Sequence, residues 1–138
     1  MDFDSTSFTT RVRIEKRHDA HVVSLHGEHD FASAPLVRER LADVRGAGGR
    51  IVVDLSAANF IDSTIAGALV EAFRADAPPR LRFVIPAATF PRRVFFRMGF
   101  GTGLPVYECL EDALADHAVR ECSTSPDPTA PADTTTSP

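Results

Sequence analysis

Residues 50–73, RIVVDLSAANFIDSTIAGALVEAF, write a buried strand followed closely by an amphipathic helix. Ile51, Val52, Val53 and Leu55 form a short apolar run rich in β-branched residues. That run suits a strand covered on both faces of a parallel sheet. A polar break follows at Ser56 to Asn59, then the pair Phe60 and Ile61. Asp62 is an N-cap residue by type, because its carboxylate can accept amides of the first helical turn. Ile65, Leu69 and Phe73 then recur at helical spacing, with Ala66, Ala68 and Val70 beside them. The first helical position is therefore a hydroxyl, Ser63, and the second is Thr64. Both stand where backbone amides point outward and the helix dipole is positive.

The rest of the chain repeats this alternation. Arg11 to Arg17 alternates charge with Val12 and Ile14, the pattern of a half-buried edge strand. A tight turn at Asp19-Ala20 leads to Val22, Val23 and Leu25, so the two strands form a hairpin. Gly27 is expected to break the second strand, leaving Glu28, His29 and Asp30 in a loop. Ser33 is a candidate N-cap, with Pro35 tolerated just inside the helix. Val37, Leu41 and Val44 share one face of that helix, and the glycines from Gly46 onward end it. After the central strand and helix, Pro78-Pro79 mark a stop. Leu81, Phe83, Val84 and Ile85 give a fourth strand and Leu104, Val106 and Tyr107 a fifth. Between them residues 90–98 make a short basic, aromatic helix, expected to turn its aromatics inward and its arginines to solvent. A last helix runs to about Arg120. These units predict an α/β domain with a mixed, mostly parallel five-stranded sheet and about four helices.

Composition sets the outer limits. The chain has 138 residues, enough for one domain with a real core, and 43% of them are hydrophobic. Residues 1–10 read as a loose polar lead-in, 11–120 as the domain, and 121–138 as a disordered Ser/Thr/Pro-rich tail. A formal net charge of -4 gives no footprint for nucleic acid. There is no apolar run of about 18 residues, hence no expected membrane span. The N-terminus lacks the basic-then-apolar pattern of a signal peptide. Cys109 and Cys122 read as reduced thiols in a cytoplasmic protein.

Two sites compete for chemistry. His26, His29 and Asp30 could hold a metal in a small enzyme, but they straddle a strand end and a loop, so their spacing defines no ligand geometry. The plain alternative is a set of surface histidines around a hairpin. Ser63 offers a modification site instead. A phosphate there adds roughly −1.5 to −2 charge, which the helix start accommodates while a packed partner does not. The plain alternative is that Asp62-Ser63-Thr64 merely caps a helix.

The stretch from about Val12 to Val119 resembles the STAS domain of bacterial anti-sigma factor antagonists. Gly27-Glu28-His29-Asp30 with Ala32-Ser33-Ala34-Pro35 is similar to the family's Gly-Glu-x-Asp loop and first helix start. Val53-Asp54-Leu55-Ser56, then Phe60-Ile61-Asp62-Ser63-Thr64, resembles its central strand and Asp-Ser-Ser/Thr phosphorylation loop. Phe90-Pro91-Arg92-Arg93-Val94-Phe95 with Gly99-Phe100 resembles its third helix and following turn. The resemblance implies a non-enzymatic binder of an anti-sigma factor with a histidine-kinase-like ATPase fold. That partner is a serine kinase, which would phosphorylate Ser63, with Thr64 the second choice, and so end the complex. A phosphatase would reset it. The implied partner-binding residues are Glu28, Asp30, Asp62, Ser63, Thr64 and Ile65, with no cofactor and no metal. One departure stands out. The family continues Gly-Leu-Gly where this chain has Ile65-Ala66-Gly67. A β-branched side chain there either narrows the kinase's approach or buries itself and shifts the turn. The alternative reading is a STAS scaffold or transport-associated module that is never phosphorylated.

Overall fold

The computed structural model describes residues 10–100 and 103–115. The expected tail, the end of the last helix, Cys122 and the lead-in up to residue 9 lie outside the described residues. In chain order the elements are β1 (Thr10–Arg17), β2 (Ala20–His29), α1 (Ala34–Ala47), β3 (Arg50–Asp54), β4 (Ala58–Ile61), α2 (Ser63–Arg74), β5 (Leu81–Val84), α3 (Phe90–Arg97), β6 (Val106–Tyr107) and α4 (Leu110–Leu114).

Five strands run in the order β1-β2-β3-β5-β6, with β1 antiparallel to β2 and the others parallel. The alternating β1 sits at the edge, as its half-polar pattern predicts. The hairpin turns at His18-Asp19, one residue earlier than expected, with His18 at a φ of 58°. In β3 the continuous apolar run is fully buried, and its side chains part by strand alternation. Ile51 and Val53 face the larger core with α1 and α2, while Val52 meets Val22, Val84 and Tyr107 on the other face under α4. Each such side chain contributes about 1.5–3 kcal/mol by leaving water.

The structure corrects the sequence reading in two places that shape the functional end. The sheet has six strands among the described residues rather than five, because Ala58 to Ile61 form β4. It pairs with β2 at Gly27, Glu28 and His29, beyond the point where β3 stops. Gly27 does not break β2 either. It takes a φ of 85° at a register shift, and the strand continues to His29. Glycine suits that step because a positive φ costs it no steric penalty. The bulge lets one strand serve β3 first and β4 afterwards.

Candidate partner-binding and modification site

The parallel strands β2 and β4 end together, so their exits bring the start of α1 beside the start of α2. Asp62 joins the two. Its Oδ1 accepts the amide of Ile65 at 3.0 Å, which makes it the N-cap of α2. Its Oδ2 accepts the amide of Phe31 at 3.0 Å, from the loop ahead of α1. One carboxylate thus holds a helix start and a neighbouring loop in register. Asp30 braces that loop from within, through Ala32 N donating to its Oδ1 at 2.9 Å and Ser33 N donating to its carbonyl at 3.0 Å. Glu28 is exposed on β2, and its carbonyl accepts Thr10 Oγ1 at 2.8 Å.

Ser63 and Thr64 are both exposed at the first turn of α2. Their amides precede the first intrahelical bond, where the N-terminal half-charge of the helix is concentrated. Ile65 is completely buried in the core. At about 100° per residue it points away from Ser63, across the helix. The capping bonds are undisturbed, since Ala66 N donates to Asp62 O at 3.1 Å beside the Ile65 bond. So the β-branched residue buries itself and does not stand before the hydroxyl. Gly67 lies one turn after Ser63 on the same side, and a Cβ placed there would meet nothing within 4 Å. The surface beside the Ser63 hydroxyl is therefore low.

The histidine cluster is divided. His29 is fully buried, with Nδ1 2.9 Å from Ser33 Oγ and Nε2 close to the carbonyls of Arg11 (3.2 Å) and His26 (3.1 Å). Two carbonyls at Nε2 require the proton there, so Nδ1 is the acceptor toward the Ser33 hydroxyl, whose one proton is shared between it and the Asp30 carbonyl at 3.2 Å. Burial pushes the His29 imidazolium below its ordinary range, only partly opposed by the two carbonyls. Both ring nitrogens are thus used inside the fold. No group of three His, Cys, Asp or Glu placed to hold a metal occurs among the described residues. Ser33 sits at the N-cap of α1 but makes no side-chain cap bond, because its hydroxyl is turned to His29.

Sequence reasoning missed an aromatic rim around this site. In α3 only Phe95 turns fully inward; Phe90 and Phe96 are 38% and 55% exposed, contrary to the expected inward face. Phe60 of β4 stacks on Phe90 with ring centroids 5.2 Å apart, and Phe31 is 71% exposed. The available signal was the helical offset of Phe96 from Phe95, which places neighbours about 100° apart.

Comparisons with known proteins agree with this geometry. The STAS domain family model matches residues 11–113. An anti-sigma factor antagonist from Mycobacterium paratuberculosis superposes with a TM-score of 0.70 at 26% identity, covering 77% of this chain and 92% of that one. The anti-sigma factor antagonist SpoIIAA in its unphosphorylated form gives 0.59 at 20% identity, over 77% and 96%. The Bacillus cell fate determinant SpoIIAA in its phosphorylated form gives 0.58 at 22%, over 77% and 97%. The last two matches concern the fold alone. No curated protein sequence matches. No helix among the described residues is long and apolar enough to cross a membrane. With its family model spanning both halves of the site and the sheet between them, the chain belongs to the STAS domain family.

Proposed function

We propose that this protein is an anti-sigma factor antagonist, a binding protein rather than an enzyme, switched by phosphorylation at Ser63. The observation that carries the reading is the exposed Ser63 at the Asp62-capped start of α2, tied through Asp62 to the Phe31 loop that follows Glu28 and Asp30. The similarity to the mycobacterial antagonist supports the partner class. The partner in this reading is an anti-sigma factor that is also an ATP-dependent serine kinase, and a phosphatase restores the free hydroxyl. The action is cytoplasmic, where a sigma factor works. Thr64, also exposed, is the second acceptor. Glu28, Asp30, Asp62, Ser63 and Thr64 form the contact surface, while Ile65 supports it from the core.

The physics of the switch follows from the cap. Phosphorylation replaces a low hydroxyl with roughly −1.5 to −2 charge. The helix start offsets part of that charge within the molecule, so the fold persists. A partner packed over Ser63 would have to desolvate the dianion beside the Asp62 carboxylate, at a cost of several kcal/mol if unpaired. Every 1.4 kcal/mol or so weakens binding tenfold, so such a contact is lost.

The test is incubation with the cognate anti-sigma kinase and ATP, followed by intact mass. One added phosphate is expected on the wild type and none on Ser63→Ala. Binding measured by calorimetry is expected to be retained in Ser63→Ala and weakened at least tenfold in Ser63→Glu. Equal affinities for the two variants would favour the unphosphorylated scaffold reading instead.

A further inference from the structure

Helix α3 lies in a stretch whose charge is unlike that of the rest of the chain. Residues 77–107 hold five arginines and no aspartate or glutamate, although the whole chain has 19 acids and a formal net charge of -4. Three of those arginines are bound within the fold. Arg80 pairs with Asp76, Arg82 donates to the Ala113 carbonyl at 3.0 Å, and Arg92 pairs with Glu108 at 3.1 Å. Arg93 and Arg97 are exposed, and no carboxylate among the described residues pairs with either. At about 100° per residue, Phe90, Arg97, Arg93 and Phe96 follow one another around the outer face of α3, opposite the buried Pro91 and Phe95. Arg93 lies over the Phe90 ring at 5.5 Å, and Phe90 stacks on Phe60 of β4, three residues ahead of Ser63. The candidate site therefore carries carboxylates at Glu28, Asp30 and Asp62, and continues through Phe60 into a surface with two unpaired guanidinium groups.

That chemistry selects its occupant. Exposed aromatic rings beside arginine are the side chains enriched where proteins meet. The two free cations require carboxylates on the other side of the contact. A nucleic acid fits less well, because its phosphates would meet Glu28, Asp30, Asp62 and the net negative charge of the chain. A second copy of the chain fits less well again. A symmetric dimer on this face would set the same arginines against each other.

We propose that the outer face of α3, with Phe60, is a second docking surface for the anti-sigma factor. Its occupant is an acidic segment of that partner, with carboxylates on Arg93 and Arg97 and an apolar side chain on the Phe60–Phe90 stack. The inference rests on the partner class inferred above, but not on phosphorylation of Ser63. A phosphate on Ser63 repels a partner at the start of α2 and leaves the α3 contact in place. The two surfaces therefore contribute to binding independently.

The experiment is calorimetric titration of the cognate anti-sigma factor into the full chain. Removing the charges in Arg93→Gln/Arg97→Gln is expected to weaken binding about tenfold, and reversing them in Arg93→Glu/Arg97→Glu about a hundredfold. The same factors are expected when Ser63 is replaced by Ala or by Glu. Added salt should weaken the wild type more than the glutamine variant. Both side chains are exposed, so circular dichroism of the variants is expected to match the wild type. Affinities within twofold of wild type for both arginine variants would overturn the proposal, and a loss in Ser63→Glu alone would leave the switch standing without it. Equal losses on removal and reversal would also overturn it, since a contact between opposite charges distinguishes the two. A loss in the arginine variants with none in Ser63→Glu would support the α3 contact and count against the switch.

Discussion

Helices α1 and α2 start side by side, each with a serine at its threshold, and treat it in opposite ways. At α1, Ser33 is nearly buried, and its hydroxyl turns inward to His29 instead of capping the helix. At α2, Asp62 does the capping, and Ser63 and Thr64 are left outside. The difference lies in what precedes each helix. Ahead of α1 stands a buried imidazole that needs a hydrogen-bond donor for Nδ1. Ahead of α2 stands a carboxylate with two oxygens to satisfy, one for Ile65 and one for Phe31. At α2 the Asp62 carboxylate takes the capping role, which leaves the Ser63 hydroxyl one position later without that task.

The contrast can be broken from several directions. Its largest lever is the anchor under the exposed serine. Ile65→Ala removes a fully buried side chain of the main core and is expected to cost about 2–5 kcal/mol in urea unfolding. A loss under about 1 kcal/mol would mean that Ile65 does not anchor α2. Asp62→Ala removes the cap and the Phe31 bond together, with an expected loss of about 1–3 kcal/mol. It should also release the loop, visible as faster hydrogen exchange at the Phe31 amide.

Ser33→Ala comes next, at about 1–2 kcal/mol, because it leaves the buried His29 Nδ1 without its donor. His29 adds a pH signature to the same site. Its folded pKa is depressed, so the unfolded chain binds the proton more readily. Stability is therefore full above the ordinary histidine value of about 6.5 and falls as pH drops below it. The depressed carboxyls of Asp19 and Asp76, each paired with arginine, act only in a lower window, below about 4. Urea midpoints at pH 7.5 and 5.5 should differ in the wild type and converge in His29→Gln. The smallest effect belongs to Ser63→Ala, expected within about 0.5 kcal/mol of wild type, as for an exposed site without a structural task. A loss as large as that of Ser33→Ala would erase the contrast between the two helix starts.

Much of the molecule was legible along the chain. The β-branched run of β3 announced a strand covered on both faces, and the alternation of β1 announced an edge. Asp62 declared itself a cap by residue type and by its place before Ile65, Leu69 and Phe73. These signals are local, carried by periodicity and by the chemistry of one turn. Strand β4 was not legible, because it has four residues, exposes Asn59 and Phe60, and is a strand only through pairing with the end of β2. Gly27 looked like a terminator, yet its positive φ is what allows β2 to continue. Phe96 looked like core, but α3 has room inside only for Phe95 and its turn neighbours.

The sequence by itself determined the α/β alternation, the position of the helix start and the presence of a hydroxyl there. Tertiary structure alone decided which serine faces solvent, that Ile65 points into the core, and that the Phe31 loop is fastened to Asp62. The loop bond joins residues 31 positions apart, and even the short-range contacts of Ser33 with His29 and of Asp62 with Ile65 take their sense from burial that the folded sheet creates. No local pattern specifies them, because each is settled by which buried polar atom or apolar face lies nearest once the sheet has formed.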